Sequence, residues 1–197
     1  MAGGYEIVVV GTSLGGLHAL EVVLGGLPRG FALPIAVVQH RDRHADGMLN
    51  AVLQRFCALP VSEPEDKEIV ASGRVYLAPA DYHLMVERGR FALSTEGRVG
   101  HARPSIDVLF ESAADSYRER AVGVVLTGSS RDGAWGAGRI AGRGGLIVVQ
   151  DPRTAESRTL PDAALAAGPA DHVLPLSRIA PLLAGLGPSA LGQTHAV

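Results

Sequence analysis

The chain has 197 residues, of which 47% are apolar and 19% are charged, so it can bury one sizeable core. A formal net charge of −2 without a basic block argues against nucleic-acid binding, and the one cysteine, Cys57, cannot form an internal disulfide, which fits a reducing compartment. The sequence has no signal-peptide pattern and no apolar run near the roughly 20 residues of a membrane helix, so we expect a cytoplasmic protein without membrane insertion.

The first predicted elements are two apolar strands, each followed by an amphipathic helix. The run Glu6–Gly11 has no polar alternation, which is typical of a strand buried on both faces. Leucine and valine residues at helical spacing from Leu17 to Leu27 predict a helix that ends before Pro28. The run Leu33–His40 predicts a second buried strand, and residues 45–57 predict the second helix.

The middle of the chain has a different pattern. Short alternating runs around glycine turns predict antiparallel hairpins over 61–94. Strands and helices then alternate again: we predict a helix over 105–117 with Ser105 as its N-cap, helices over 133–145 and 159–168, strands over 121–128 and 145–150, and a closing strand and helix over 172–186. This order predicts an α/β fold, a doubly wound, mostly parallel sheet with helices on both faces and an antiparallel hairpin region.

Side chains with complementary chemistry follow three of the predicted buried strands. Ser13 follows the first strand, His40 ends the second, and Asp132 follows the strand at 121–128. Parallel strands end at one edge of a sheet, where the sites of open α/β folds form. A serine nucleophile needs an imidazole base and an anion that orients it, so the sequence predicts a Ser–His–Asp site. Taken singly, Ser13 and Asp132 could be helix caps and His40 a core histidine, but three such coincidences are less probable than one site.

The turn around Ser13 distinguishes a nucleophile from a phosphate cradle. Gly11–Gly15 reads G-x-S-x-G, the pattern of a strand-to-helix turn that presents a nucleophile. A dinucleotide fingerprint would place a glycine at position 13 and an acidic ribose ligand about 20 residues further on, and both are missing. The order Ser, His, Asp also differs from the order Ser, acid, His of α/β-hydrolases, so we expect another fold around this turn.

Six separated blocks of the sequence resemble the C-terminal catalytic domain of CheB, the chemotaxis protein-glutamate methylesterase family. The resemblance runs from about Tyr5 to Leu186, and its blocks are VVVGTSLGGLHAL, VVQH, YLAPADYHL, RPSIDVLFESAA, VGVVLTGSSRDGAWG and VVQDPRTAESRTLPDAAL. It implies that Ser13 is the nucleophile, His40 the general base and Asp132 the triad aspartate. It also implies hydrolysis of glutamyl γ-methyl esters on methylated chemoreceptors, with release of methanol, and deamidation of receptor glutamines as a further activity.

Secondary site residues follow from the turn geometry and the resemblance together. We expect the backbone N–H groups of Leu14 and Ser129 to bind the oxyanion. Arg103 either contacts acidic groups around the receptor ester or forms a salt bridge with Asp107, four residues on. We expect Trp135 to pack against the sheet. We expect no metal and no other cofactor, because no carboxylate cluster at ligand spacing accompanies His18, His44, His83 and His101.

The sequence departs from the family pattern at two points near the expected site and in its length. Arg41 follows His40 where the family often has an apolar residue or methionine, and Ser129 and Ser130 stand where Met-Gly is common. The family usually carries an N-terminal receiver domain, whereas about ten residues precede Ser13. We therefore expect one catalytic domain over 1–187, a disordered tail over 188–197, no receiver domain, and control, if any, by a separate regulatory protein. Two alternatives stay open: a catalytically silent docking module, and a general small-ester hydrolase.

Overall fold

The computed structural model describes residues 4–41 and 48–186. The strands are β1 (Ile7–Thr12), β2 (Ile35–Gln39), β3 (Val61–Ser62), β4 (Val75–Leu77), β5 (His83–Glu87), β6 (Arg90–Ser94), β7 (Ala121–Val125), β8 (Leu146–Gln150) and β9 (His172–Leu174). The helices are α1 (Gly16–Gly25), α2 (Met48–Gln54), α3 (Ile106–Tyr117), α4 (Ala134–Gly142), α5 (Thr159–Ala167) and α6 (Leu176–Ala184).

Seven strands form one parallel sheet in the order β3-β4-β2-β1-β7-β8-β9. The central strands are apolar along their whole length because helices cover both faces; every residue of β1 and β7 is buried. The predicted doubly wound α/β fold is confirmed. The first predicted helix ends where expected, and α2 begins at Met48, while positions 45–47 of its predicted start lie outside the described residues.

The hairpin prediction over 61–94 holds for only part of that segment. Strands β5 and β6 form a separate two-stranded antiparallel sheet, as predicted. Strands β3 and β4 instead join the main sheet in parallel, β4 beside β2 and β3 beside β4. Val75–Leu77 is buried at all three positions, so it is an interior strand that is too short to show the continuous apolar pattern of β1.

The apolar side chains of the sheet form two cores, one on each face. On one face β1 and β2 pack with α1, α2 and α6 through residues such as Leu20, Leu53 and Ile179. On the other face the sheet packs with α3, α4, α5 and the β5–β6 hairpin, through residues such as Phe110 and Phe91. Helices therefore cover both faces of the sheet, and further strands are added on both sides of β1.

Trp135 does not pack against the sheet as predicted, because its side chain is 64% exposed. Helix α4 turns small residues toward α3 instead, among them Gly136 and Ala137. A methyl group at Gly136 would lie 2.5 Å from the Cβ of Phe110, so the two helices are too close for a large residue between them. The indole lies on the opposite, solvent-facing side of α4.

The change in winding direction lies between β1 and β7. Strand β1 pairs with β2 on one side and with β7 on the other. The loops after these two strands leave the carboxyl edge of the sheet toward opposite faces, and the crevice between them is where open α/β sheets bind ligands. Ser13 follows β1 and Asp132 follows β7, so the fold places both residues at this crevice.

Candidate active site

Hydrogen bonds join the three loops that leave the central strands. The N–H of Ser13 donates to the carbonyl of Thr127 at 3.0 Å, and the N–H of His40 donates to the carbonyl of Thr12 at 3.0 Å. Gln39 Nε2 donates to the carbonyls of both Ser13 and His40 at 2.8 Å. The backbone around the candidate nucleophile and base is thus fixed by the sheet edge.

Two glycines shape the turn that carries Ser13. Gly15 has a φ of 77°, in the left-handed region that favours glycine, and it precedes the first residue of α1. Gly16 packs against Gln39 and Thr12 so closely that a Cβ atom there would collide with both side chains. These two positions let the strand turn into the helix directly beside β2, as the G-x-S-x-G pattern predicts.

His40 and Asp132 are in direct contact, as the sequence predicts. His40 Nε2 and Asp132 Oδ2 lie 2.7 Å apart, and their side chains are 16% and 3% exposed. An ionised carboxylate only accepts hydrogen bonds, so Nε2 carries the proton and the carboxylate fixes the imidazole tautomer. The other ring nitrogen, Nδ1, remains for the proton of a nucleophile.

The Asp132 carboxylate lies on the N-terminus of α3. Its Oδ2 accepts from the N–H of Ile106 at 2.7 Å, and its Oδ1 accepts from Ser105 Oγ at 2.7 Å and from the N–H of Asp107 at 3.2 Å. The prediction that Ser105 is the N-cap of α3 is confirmed, because its Oγ accepts from the N–H of Val108. Free N–H groups and the helix dipole make this end of α3 a site for an anion.

The two acidic side chains at this position have opposite pKa shifts. Burial by itself would raise the pKa of Asp132, but the hydrogen bonds from His40, Ser105 and the backbone of α3 outweigh it, so the pKa of Asp132 lies below its usual range. Burial raises the pKa of Asp107 to about 6, the nearby Asp132 charge adds to the rise, and N–H groups of Gly136 and Gly133 oppose it. Asp132 is therefore the carboxylate that stays ionised beside His40.

Ser13 shares a cavity with His40, Leu14 and Ser129. Within the described part of the chain, Ser13 Oγ forms no hydrogen bond, so the serine–histidine contact is open while the histidine–aspartate contact is made. Contacts of this kind commonly tighten only with substrate bound. Neither the Leu14 nor the Ser129 N–H has an acceptor among residues 4–41 and 48–186. Both groups are therefore free to donate to an oxygen beside Ser13.

Arg103 lines a neighbouring cavity with His40, but it does not pair with Asp107. Its Nε and Nη2 donate to Asp81 Oδ1 at 3.1 and 2.8 Å, and its Nη1 donates to the carbonyls of Thr95 and Glu96. The alternative of a salt bridge with Asp107 is wrong because the carboxylate of Asp107 instead accepts the N–H groups at the start of α4.

Sequence reasoning missed a second layer of residues around the site. His83 Nδ1 accepts from the N–H of Ser105 at 3.2 Å, and its Nε2 lies 3.1 Å from the carbonyl of Gly97, which identifies Nε2 as the protonated nitrogen. The hydrogen bonds of Gln39 and the one from Ser105 Oγ to Asp132 were also missed. Their only sequence signal is position, because Gln39 precedes His40 and Ser105 begins a helix.

Residues 4–41 and 48–186 hold no group of three or more metal-ligating side chains. No helix among these residues is both long and apolar enough to cross a bilayer.

Burial raises the pKa of the Cys57 thiol, partly opposed by the N–H of Leu59, so the thiolate is disfavoured there.

Comparison with known proteins gives one consistent result. The model of the CheB methylesterase family matches residues 8–183. A putative protein-glutamate methylesterase/protein-glutamine glutaminase of Leptospira interrogans is 44% identical over 190 residues, which are 96% of this chain and 98% of that protein. A protein-glutamate methylesterase/protein-glutamine glutaminase of Thermotoga maritima is 35% identical over 88% of this chain, which spans about half, 52%, of that protein.

A further relative and a solved structure agree with this result. The protein-glutamate methylesterase FrzG of Myxococcus xanthus is 41% identical over 177 residues, 89% of this chain and 53% of that protein. The crystal structure of the CheB methylesterase catalytic domain of Thermotoga maritima superposes with a TM-score of 0.88 and 34% identity, over 93% of this chain and all of that domain.

Proposed function

The chain belongs to the CheB methylesterase family, and on that premise we propose that it hydrolyses γ-methyl esters of glutamate on methyl-accepting chemotaxis receptors, releasing methanol. The observation that carries the proposal is the 2.7 Å hydrogen bond between His40 and Asp132 on a cavity that also holds Ser13. Relatives named for this activity, including one that matches nearly end to end, support the choice of substrate class.

The first half of the reaction forms an acyl-enzyme. Ser13 Oγ attacks the ester carbonyl carbon while His40 Nδ1 takes the hydroxyl proton. Asp132, already bonded to Nε2, stabilises the imidazolium that results. When the tetrahedral intermediate collapses, the bond to the methoxy oxygen breaks, His40 gives its proton to that oxygen, and methanol leaves.

The oxyanion of the tetrahedral intermediate needs donors that are in place before the reaction. The N–H groups of Leu14 and Ser129 line the Ser13 cavity and have no acceptor in the described part of the chain. Leu14 also lies directly before Gly15, the N-cap of α1, close to the helix end where the dipole favours negative charge. We assign these two N–H groups to the oxyanion, so the serine side chain at position 129 is not required.

The second half returns the enzyme to its starting state. A water molecule gives one proton to His40, its oxygen attacks the acyl carbon, and the bond to Ser13 Oγ breaks as that oxygen recovers the proton. A glutamine side chain can follow the same route with ammonia as the leaving group, so deamidation of receptor glutamines is part of the proposal. Arg103 lines the adjacent cavity, and we assign it to contacts with the substrate polypeptide and not with the reacting bond.

The test of the proposal is methanol release from a purified receptor carrying tritiated methyl esters. Ser13→Ala should lower the rate by roughly 10⁴-fold or more, because no other group can form the acyl-enzyme. The matched control is Ser177→Ala, which removes an exposed serine on α6 and should leave the rate unchanged. Circular dichroism should show both variants folded.

The same assay separates the alternatives. Turnover of nitrophenyl esters without release from the receptor would identify a general small-ester hydrolase and contradict the proposal. A folded protein with neither activity would be a docking module. Retained receptor hydrolysis in folded Ser13→Ala would remove Ser13 from the role of nucleophile.

A further inference from the structure

A second cavity of about 380 Å³ adjoins the candidate active site and shares His40 with it. Its charged lining residues, among those that the structure describes, are all basic: Arg41, Arg98 and Arg103, with His40 and His101 beside them. Ser130, from the loop after β7, also lines this cavity, which therefore lies directly beside the reacting groups.

The described lining of the cavity contains no carboxylate. Arg103 pairs with Asp81, and Arg41 pairs with Glu63, but neither carboxylate belongs to the described lining of the cavity. Arg98 is exposed and has no ion pair or hydrogen bond with any residue in 4–41 or 48–186, so it adds a whole positive charge.

Arg41 is the most unusual member of this set. Its side chain is only 7% exposed, and its Nη2 donates to Glu63 and to the carbonyl of Ala78 at 2.8 Å. Its Nε and Nη1 are buried and have no hydrogen-bond partner in the structure described. A buried guanidinium with unpaired N–H groups is costly, and an anion in the adjacent cavity offsets that cost by interacting with its charge.

We propose that this cavity is a subsite for a carboxylate of the substrate polypeptide, an acidic residue close to the esterified glutamate. The inference rests on the proposed function and adds a specificity that the triad cannot provide, since the ester itself is uncharged. Arg98 and Arg41 are the residues that distinguish an acidic neighbour from a neutral one. Arg103 forms the wall of the subsite through its bonds to Asp81 and to the carbonyls of Thr95 and Glu96.

The experiment uses synthetic peptides that contain one glutamyl γ-methyl ester and one other variable position. That position carries Glu or Gln and is placed one to four residues before or after the ester, and kcat/KM for methanol release is measured for each pair. At the productive placement we expect the Glu peptide to be preferred about fivefold, the scale of one partly exposed charge pair. The preference should shrink at high salt, which screens such pairs.

Arg98→Gln tests the assignment of the charge. It removes an exposed, unpaired cation, so the protein should fold and lose most of the preference for Glu over Gln peptides. The matched control is Arg29→Gln, the same change at an exposed arginine in the loop after α1, near the opposite edge of the sheet. The double variant Arg41→Gln/Glu63→Gln removes the buried pair without leaving a carboxylate alone, and it should lower the preference as well.

The outcomes separate this inference from the proposed function. If the receptor is hydrolysed but Glu and Gln peptides react equally, or if Arg98→Gln keeps the full preference, the subsite is wrong while the methylesterase proposal stands. If neither the receptor nor any peptide releases methanol, the proposed function itself is wrong and the subsite falls with it. A preference for Glu that is lost in Arg98→Gln but not in Arg29→Gln supports the subsite.

Discussion

Asp132 is the residue on which the hydrogen bonds of the site converge. Four donors reach its two carboxylate oxygens, from His40, from Ser105 Oγ and from the N–H groups of Ile106 and Asp107. Each donor interacts most strongly with the ionised form, which is why the pKa of this buried acid lies below its usual range. The backbone N–H groups of α3 therefore help to keep the Asp132 carboxylate ionised beside His40.

Asp132→Asn should lower kcat by roughly 10⁴-fold, measured as methanol release from the labelled receptor. The amide nitrogen cannot accept, so at least one of the four donors loses its partner, and His40 loses the group that fixes its tautomer. Unfolding in urea should also show a stability loss of about 1–3 kcal/mol for the buried donor left unpaired. A rate loss below tenfold would show that Asp132 is only a structural anchor for α3.

The rate should fall in acid along a single ascending limb. His40 can accept the Ser13 proton only while Nδ1 is unprotonated. We expect kcat/KM to rise with pH and then to level off. Because the pKa of Asp107 is about 6, the profile should be repeated in Asp107→Asn, where the limb should persist. A flat profile from pH 5 to 9 with chemistry rate-limiting would exclude His40 as the base.

Helices α3 and α4 are joined through one carboxylate. Asp107, in the first turn of α3, accepts from the N–H of Gly133 at 2.9 Å and from the N–H of Gly136 at 2.7 Å. Gly133 is the N-cap of α4 and, as a glycine, has no side chain that could cap the helix. Asp107 supplies that cap from the neighbouring helix, and it thereby holds the turn that carries Asp132.

The stability of this junction should depend on pH in a defined direction. The pKa of Asp107 is about 6 in the folded protein against an ordinary 3.8, so its ionisation between these values opposes folding. An asparagine keeps the accepting oxygen and does not ionise. The free energy of unfolding of Asp107→Asn, relative to wild type, should therefore rise as pH increases from about 4 to 6.5 and then level off.

Urea unfolding of both proteins at pH 4, 5, 6 and 7 measures this difference directly. A relative stability that falls over the same range would mean that the ionised Asp107 stabilises α4, as a charge at a helix N-terminus can. In that case the dipole of α4 would outweigh the cost of burying the carboxylate.

At the level of the whole chain, the described residues leave the Ser13 cavity open to solvent. Leu14 is 53% exposed and Leu17 is 43% exposed at its rim. We therefore expect the purified chain to be active without a phosphodonor, with no change in the initial methylesterase rate when acetyl phosphate and Mg²⁺ are added. Control by a separate protein, or by tethering near the receptor, would change the effective concentration of the enzyme at its substrate and leave the active site unchanged.

The measurement compares initial rates of methanol release with and without the phosphodonor. A severalfold stimulation, accompanied by phosphate on an aspartate of this chain, would contradict this prediction. The domain boundary at 187 remains a prediction, because positions 187–197 lie outside the described residues.

Strands and helices with long, consistent patterns were predictable, whereas short elements were not. The continuous apolar runs of β1, β2, β7 and β8 identify buried parallel strands, because only strands covered on both faces lack polar alternation. β4 has three residues and β3 has two, which is too few for a period to be read. Their parallel pairing is set by contact with β2, which is distant in sequence.

The amino-acid sequence was sufficient to predict that Ser13, His40 and Asp132 lie together, because each follows a buried strand and such strands end at one sheet edge. It could not show that His40 uses Nε2 toward Asp132, that Ser105 and the N-terminus of α3 hold that carboxylate, or that Asp107 caps α4. These contacts join residues separated by more than 20 positions, and their geometry depends on how α3 and α4 pack on the sheet. A local sequence pattern indicates which chemistry a residue can perform, whereas tertiary packing determines which residues it contacts.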